Sequence, residues 1–403
     1  MERNHWKWFT TCLLAVFIVS CSDVKETDPA PQEEDNLVEA TLLGTRSAAE
    51  LQFLIQVSGR NVDPSLFRYD VDVYKVIYKT GYKESDIQAS GLIMLPKTND
   101  GVGMISFQHG TIVKQTDAPS VQSMQTLEVI SYAALSSMGL ITVVPDMIGF
   151  GESENVFHPY YVEEPTALAV IDNLHAAETL AKEKQSAFNS RLFLAGYSQG
   201  GYATMASHKA IEANPLENFK LIASFPAAGG YDITAMQEYF FNLDSYSHPY
   251  YLAYVGRSYQ TYYDEPDLLK DLFNEPYASN IPLLFDGING QDDINAQLSN
   301  DIKVLVKNGV LNSIDTDPEY EYIKEAFLEN SLVDWKPTIP MFMYHGDQDS
   351  TVPYENSQIT YDKLLNNGAS PEILKLINLP GADHSSGIEP YIEEVIKNLQ
   401  VLK

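Results

Sequence analysis

One stretch constrains the fold of this 403-residue chain more than any other, residues 192–205, which read LFLAGYSQGGYATM. A short apolar run ends in glycine, tyrosine and Ser198, and small residues then begin a helix-like segment. A serine with glycine two residues away on both sides, between a strand and a helix, is typical of a tight turn that exposes a nucleophilic hydroxyl. Gly196 and Gly200 are expected there because larger side chains would clash. The sequence therefore predicts a nucleophile at Ser198.

The rest of the chain alternates short apolar runs with longer amphipathic segments. This alternation implies βαβ units and a mainly parallel sheet covered on both faces. Residues 37–59 show mixed helical periodicity, and two early strands form a hairpin through a turn at Gly81-Tyr82. The predicted strands are residues 69–78, 87–96, 104–108, 141–145, 191–195, 221–226, 339–345 and 373–379, and the predicted helices are 126–137, 165–184, 200–213, 355–367 and 388–402.

The alternation breaks between residues 230 and 335, which are aromatic and polar with several helical stretches. An insertion between two halves of a doubly wound sheet is expected to form a cap above the carboxyl ends of the strands. We therefore predict an α/β core of residues 37–229 and 336–403, with a helical cap or lid at 230–335. Aromatic residues crowd residues 239–263, and we expect most of them to pack within the cap, with an acyl-chain tunnel as the alternative.

The N-terminal residues have the composition of an export signal. Arg3 and Lys7 precede an apolar stretch at residues 9–20 that is too short to be a stable membrane anchor. Residues 18–21 read IVSC and resemble the bacterial lipobox, which implies that Cys21 is lipidated after cleavage of residues 1–20. Ordinary signal cleavage near Ser20 is the alternative. Residues 21–36, which are acidic and contain proline, are expected to be a flexible tether. We thus expect an exported protein with membrane contact through an N-terminal lipid anchor, at the outer membrane of a bacterial envelope.

Charge and cysteine content narrow the function further. The chain has 26 Lys and Arg against 55 Asp and Glu, a formal net charge of −29. Such an acidic surface repels phosphates, so a nucleic acid partner is excluded and neutral or cationic substrates are favoured. The cysteines are Cys12, inside the signal, and Cys21. A mature chain with a single acylated cysteine has no disulfide, so packing must stabilise it.

An attack by Ser198 requires a base, because an alcohol is barely ionised at neutral pH. His384 lies in a loop between the last predicted strand and the final helix, which places it at the same edge of the sheet as Ser198. His158 and His248 are expected to be packing residues, with a place in the cleft as the alternative. The acid that orients the base is expected to follow another strand. Candidates there are Asp347 and Asp349, while Asp383 adjoins His384 directly, which usually points a side chain elsewhere.

An oxyanion requires backbone N–H donors aimed at the developing charge. The N–H of Gln199 follows the nucleophile at the start of a helix and is one expected donor. The second is expected from the loop after the strand at residues 104–108, which reads His109-Gly110-Thr111.

The chain order of these groups resembles that of the α/β-hydrolase superfamily. Residues 345–353 match the HGxxDxxVP loop of that fold, which implies that Asp349 rather than Asp347 is the third member of a Ser198, Asp349, His384 triad. The His109-Gly110 pair resembles the oxyanion loop of the fold and implies Thr111 N–H as the second donor. Residues 146–153 match its DxxGxGxS loop, which we interpret as a structural part of the cleft wall.

Within that fold, the chain resembles the secretory lipase family of fungi and bacteria over residues 69–402. The matching segments are VIYKT at residues 76–80, ASG at 89–91, GYSQGG at 196–201 and DWKP at 334–337. This resemblance implies hydrolysis of carboxylic esters, often acylglycerols, beneath a helical cap. The chain lacks the paired cysteines common in secreted fungal members.

The function expected from the sequence is that of a serine carboxylic-ester hydrolase, a lipase or esterase that forms an acyl-enzyme. Its partner is then a small-molecule or lipid ester, without any cofactor or metal. The excess of tyrosine over phenylalanine in the cap favours shorter acyl groups or acylated glycans. A serine peptidase of the same fold is the first alternative, since a triad does not distinguish esters from amides. A catalytically inactive lipid-tethered binding protein is the second. The oligomeric state is not indicated.

Overall fold

A mixed sheet of nine strands runs through the computed structural model, which describes residues 36–402. Its spatial order is β1-β2-β3-β5-β4-β6-β7-β8-β9. In this spatial order, neighbouring strands from β1 to β5 are antiparallel. Neighbouring strands from β5 through β4 to β9 are parallel. The strands are β1 (Leu37–Arg46), β2 (Val71–Tyr82), β3 (Ser85–Pro96), β4 (Val102–Gln108), β5 (Leu140–Pro145), β6 (Phe188–Tyr197), β7 (Lys220–Ala227), β8 (Met341–Gly346) and β9 (Leu374–Leu379).

Helices flank this sheet and fill the insertion. Those of the core are α1 (Ala48–Ser58), α2 (Leu127–Ser137), α3 (Glu163–Glu183), α4 (Gln199–Ala213), α13 (Tyr354–Asn366) and α14 (Ile388–Leu402). Those of the insertion are α5 (Ile233–Phe241), α6 (Tyr250–Tyr262), α7 (Leu268–Leu272), α8 (Tyr277–Leu284), α9 (Gln291–Asn295), α10 (Ile302–Leu305), α11 (Asn308–Ser313) and α12 (Glu321–Glu329). The predicted fold class, a mainly parallel doubly wound sheet with an N-terminal hairpin and a helical insertion, is confirmed.

The strand β6 shows why helices cover both faces. Its residues alternate across the sheet, so that Phe193 and Ala195 pack on one face with residues of α2 and α14. Leu192 and Leu194 pack on the opposite face with residues of α3. All four are completely buried. A strand buried on both faces reads as a continuous apolar run, which is the pattern that the sequence carries here.

The prediction for the beginning of the chain was wrong in part. Residues 37–59 do contain the helix α1, but the strand β1 precedes it and pairs with β2 along the edge of the sheet. Register shifts interrupt this pairing between Leu37 and Glu39 and between Leu42 and Gly44. Such bulges break the two-residue period by which a strand is recognised, and they leave Leu42 half exposed. Backbone pairing to β2 therefore outweighs the helical pattern of the residues.

The hairpin between β2 and β3 also turns later than predicted. Gly81 and Tyr82 still belong to β2, and Tyr82 pairs with Ser85. The turn consists of Lys83 and Glu84, with Lys83 at a φ of 54°. The sheet edge beside the site is unaffected by this difference. Among residues 36–402, no helix is both long enough and apolar enough to cross a membrane. The predicted signal, the lipidation at Cys21 and residues 21–35 of the tether lie outside the described residues.

Candidate active site

The turn between β6 and α4 holds Ser198 in an unusual backbone conformation, with φ 59° and ψ −124°. The close approach of neighbouring backbone explains the glycines on both sides. A Cβ on Gly200 would lie 2.0 Å from the carbonyl oxygen of Gln108, and one on Gly196 would lie 2.3 Å from that of Gly200. Both positions therefore exclude any other residue without a backbone shift. Gly196 and Gly200 thus lie at the two positions of this turn where a Cβ atom would clash with neighbouring backbone.

Three predicted residues meet at the carboxyl edge of the sheet. Ser198 follows β6, Asp349 follows β8, and His384 follows β9 in the loop before α14. The Ser198 hydroxyl lies 2.9 Å from Nε2 of His384, and Nδ1 of the same ring lies 2.6 Å from Oδ2 of Asp349. A neutral imidazole in the Nδ1–H tautomer donates to Asp349 and accepts the hydroxyl proton of Ser198. The hydroxyl, the imidazole and the carboxylate thus form a hydrogen-bonded series.

The Asp349 carboxylate has a partner for each oxygen. Its Oδ1 accepts the backbone N–H groups of Thr351 and Val352, both at 2.9 Å. Its Oδ2 faces two imidazoles, those of His384 and His345. Burial alone would raise the pKa of Asp349, but the hydrogen bonds from His345 and His384 outweigh it and lower the pKa to about 2. The group is therefore a carboxylate at neutral pH, able to stabilise a positive charge on His384.

His345 is a site residue that sequence reasoning missed. Its side chain is completely buried, and Nε2 lies 2.9 Å from the carbonyl oxygen of Val352 and 3.2 Å from Oδ2 of Asp349. Both neighbours are acceptors, so Nε2 carries the proton, and Nδ1 accepts from the Ser357 hydroxyl at 2.6 Å. The imidazole therefore holds the loop that contains Asp349 and Val352 in place. The signal was present in the sequence, since a histidine at the end of a buried strand directly precedes the acidic loop.

The competing aspartates have other partners. Asp347 accepts the backbone N–H of Gly381 at 2.8 Å and the side-chain amide of Asn378 at 3.1 Å, so it ties the loop after β8 to the end of β9. Asp383 accepts the N–H groups of Ser385 and Ser386 within its own loop. Hydrogen bonds lower the pKa of both carboxyls. Asp349 is the one of the three that hydrogen-bonds to His384.

The expected oxyanion donors lie beside Ser198. Gln199 is the first residue of α4, so its N–H has no partner within the helix and lies at the positive end of the helix dipole. Thr111 lines the same cavity as Ser198, where its hydroxyl contacts that of Tyr160 at 2.8 Å. Its carbonyl accepts from Gln291 of the insertion at 3.0 Å. The role of both N–H groups stays a prediction.

His158 holds the side chain of Gln199, the residue after Ser198. Its Nδ1 donates to the carbonyl of Ile148 at 2.6 Å, so Nε2 accepts from the Gln199 amide, also at 2.6 Å. Burial lowers the pKa of His158 to about 3, which keeps the ring neutral. His158 is thus a buried packing residue, as expected, and it also fixes Gln199.

The DxxGxGxS loop shapes the wall behind these residues. Asp146 is completely buried and accepts from the hydroxyls of Ser90 and Ser120 at 2.6 and 2.5 Å. Gly151 has a φ of 58°, and a Cβ there would lie 2.2 Å from the Ser90 hydroxyl. These contacts agree with a structural role for the loop of residues 146–153.

Two cavities reach Ser198 from different sides. The first, here called the cap cavity, has a volume of about 90 Å³ and a nearly apolar wall that includes Leu252, Val255 and Phe273 of the insertion. The second, here called the groove, has a volume of about 490 Å³ and runs between α2 and α14. Ser198 and Tyr251 line both. A substrate bound at Ser198 therefore has two directions in which to extend.

The aromatic residues of the insertion divide between the two roles considered for them. Of those between residues 239 and 263, four line the cap cavity, namely Phe240, Phe241, Tyr246 and Tyr251. Tyr250, Tyr254 and Tyr259 are buried in the hydrophobic core of the insertion instead. Apolar side chains complete the cavity wall, so it is drier than the tyrosine content of the sequence indicated. Within residues 36–402, no cluster of three or more His, Cys, Asp or Glu is arranged to hold a metal ion.

Comparison with known proteins identifies the fold of this chain as the α/β-hydrolase fold. A Legionella pneumophila protein described as a hydrolase superposes with a TM-score of 0.80 at 28% identity, over 91% of this chain and 98% of its own. The rice cell wall degrading esterase LipA from Xanthomonas oryzae gives 0.79 at 21% identity, over 93% and 100% of the two chains. Candida antarctica lipase A gives 0.62 at 14%, over 87% and 77%. No family model and no curated protein sequence matches the chain. The comparisons support a hydrolase with this fold.

Proposed function

We propose that the protein is a serine carboxylic-ester hydrolase, a lipase or esterase that acts through an acyl-enzyme. The observation that carries this proposal is the unbroken hydrogen-bonded series from Ser198 through His384 to Asp349 at the end of three strands. The strained backbone of Ser198 supports it, because such strain concentrates where a side chain is held for reaction. The similarity to solved structures of an esterase and a lipase also favours ester hydrolysis over amide hydrolysis as the proposed function.

In the proposed reaction, His384 takes the proton of the Ser198 hydroxyl while the oxygen attacks the ester carbonyl. Asp349 stabilises the imidazolium, and the N–H groups of Gln199 and Thr111 bind the oxyanion. Collapse of the intermediate passes the proton from His384 to the leaving alcohol and leaves an acyl-enzyme. Water then attacks with His384 again as the base, and the acid is released.

The cap cavity is the proposed site of the acyl chain. Its small volume and apolar lining suit an unbranched hydrocarbon chain, which gains free energy from each methylene it removes from water. The resemblance to the secretory lipase family agrees with a cap that covers the acyl chain. Lipidation at Cys21 and attachment to the bacterial outer membrane complete the proposal, and they rest on residues outside the described part of the chain.

Replacement of the nucleophile tests the proposal. Ser198→Ala is expected to lower kcat for p-nitrophenyl hexanoate by at least about a thousandfold and to abolish labelling by a fluorophosphonate. Ser279→Ala, an exposed serine of α8, is the matched control and should retain both. Retained hydrolysis in Ser198→Ala would refute the nucleophile. Turnover of aminoacyl-nitroanilides but not esters would favour the peptidase, and a wild-type protein inert to esters, nitroanilides and fluorophosphonate would favour the inactive binding protein.

A further inference from the structure

The groove differs from the cap cavity in the elements that build it. Its walls come from the core and not from the insertion, apart from Tyr251 where the two cavities meet. The end of α1 and the following loop form one side, α2 a second, and α14 a third. Most of the wall is apolar, and its apolar lining residues include Phe67, Phe107, Leu135, Ile388, Ile392 and Ile396.

The position of the base determines which part of an ester extends into each cavity. His384 lines the groove, whereas Thr351 and Val352, from the loop of Asp349, line the cap cavity. The leaving oxygen must lie beside Nε2 of His384, because it receives there the proton that Ser198 gave up. The alcohol portion of the ester thus extends on the side of the groove, and the acyl portion extends into the cap cavity.

We infer that the groove is the binding site for the alcohol portion of the substrate and that it selects bulky, mainly apolar alcohols. This inference rests on the proposed ester hydrolysis at Ser198. The groove has about 490 Å³ against about 90 Å³ for the cap cavity, so it has room for a larger substituent than the cap cavity does. A methyl or ethyl group leaves most of this apolar wall in contact with water.

The groove also contains a few polar side chains, which could hydrogen-bond to further hydroxyl groups of such an alcohol. Glu128 accepts from the hydroxyl of Tyr132 at 2.6 Å and from the amide of Gln122 at 3.0 Å. Arg60 lies 3.4 Å from the Ser131 hydroxyl, at the far limit of a hydrogen bond. One cation and one anion line the groove, so an uncharged alcohol suits it better than an ionic one.

The rim of the groove is open to solvent. Leu127 of α2 and Ile388 of α14 are 64% and 47% exposed, and both line the groove. An alcohol product therefore leaves along the groove without displacement of the insertion. The exposed rim also permits substitutions that narrow the groove without disturbing the hydrophobic core.

A pair of esters with one acyl group tests the inference. We compare kcat/KM for 2-naphthylmethyl hexanoate and methyl hexanoate, and we expect the ratio to exceed about ten for the wild-type protein, since each buried methylene equivalent is worth about fourfold. Ile388→Trp and Leu127→Trp narrow the groove from opposite walls, and each should lower this ratio at least about fivefold. Val401→Trp is the matched control, because Val401 lies on α14 and is 83% exposed but does not line the groove. Its ratio should equal that of the wild type.

The outcomes separate the inference from the proposed function. A wild-type ratio near one, or ratios unchanged in both groove variants, would overturn the alcohol site while Ser198-dependent hydrolysis of methyl hexanoate still supports the ester hydrolase. An equal fall of the ratio in Val401→Trp would also overturn it. If the wild-type protein cleaves neither ester, the proposed function fails and the inference fails with it.

Discussion

The carboxyl edge of the sheet and the insertion above it are organised in different ways. At the edge, Ser198, Asp349 and His384 each lie in the turn or loop that follows a strand, and hydrogen bonds fix their positions, as for Asp349 with partners on both oxygens. The insertion consists of helices of four to thirteen residues, and aromatic packing holds them together, as for Tyr254 on Phe285, with ring centroids 4.7 Å apart. Changes at the edge should therefore affect every ester alike, and changes in the insertion should affect esters differently.

The largest effect is expected at the edge. Asp349→Asn keeps the shape of the side chain but lacks the charge that stabilises the His384 imidazolium, and the amide favours the wrong imidazole tautomer. We expect kcat to fall about ten-thousandfold for acetate and octanoate esters alike. The fall in kcat is measured by steady-state hydrolysis of p-nitrophenyl acetate and p-nitrophenyl octanoate.

Asp347→Asn is the matched control for this variant. Asp347 lies in the same loop but bonds to Gly381 and Asn378, so its kcat should stay within about threefold of the wild type. Equal losses in the two variants would contradict the assignment of Asp349 as the orienting acid. A loss confined to the octanoate ester would contradict the contrast between edge and insertion.

A smaller and selective effect is expected in the insertion. Val255 on α6 lines the cap cavity, and Val255→Trp should fill part of it. The kcat/KM for p-nitrophenyl octanoate should fall about tenfold more than that for the acetate, because each methylene excluded from the cavity forfeits about 0.8 kcal/mol. Val304→Trp, on the exposed side of α10, is the control and should leave the two rates in their wild-type proportion. A uniform loss in Val255→Trp would place the acyl chain outside the cap cavity.

The same contrast explains what the sequence could predict. Parallel strands buried on both faces are continuous apolar runs, so the positions of Ser198 after β6 and of Asp349 after β8 at one edge of the sheet were predictable. The strand β9 is a half-exposed edge strand, and His384 was predictable as their neighbour because its loop lies between this last strand and the final helix. The elbow glycines were predictable because backbone lies within 3 Å of where their side chains would stand. These regularities come from the backbone geometry of the sheet.

The remaining features depend on contacts between residues far apart in the chain. The strand β1 was missed because its bulges disguise the two-residue period. The contact of His345 with Asp349, four residues further on, is an exception: the histidine before the acidic loop was visible in the sequence, but the contact itself depends on the path of the loop after β8. The cap cavity and the groove were not predictable, since their walls combine side chains from elements up to a few hundred residues apart.

One connection between the insertion and the core involves Glu212, near the end of α4. Its carboxylate accepts the backbone N–H groups of Thr338 and Ile339 at 2.9 and 2.8 Å and the Thr338 hydroxyl at 2.7 Å, at the point where the chain returns from the insertion to the sheet. His208 of the same helix contacts it at 2.7 Å. Burial would raise the pKa of Glu212, but the hydrogen bonds from His208, Thr338 and Ile339 outweigh it and lower the pKa to about 2.

The smallest effect is expected from Glu212→Gln, in stability and not in the chemistry. A depressed pKa means that the ionised group stabilises the fold at pH values above the unfolded-state value of 4.5, and that this contribution is lost as the pH falls toward 2. We expect the variant to lose about 1 kcal/mol of unfolding free energy at pH 7, and less at pH 3, by urea titration at both values. Glu217→Gln, an exposed carboxylate nearby, should match the wild type at both. A loss that is equal at pH 7 and pH 3 would show that the charge of Glu212 does not stabilise this connection between the insertion and the core.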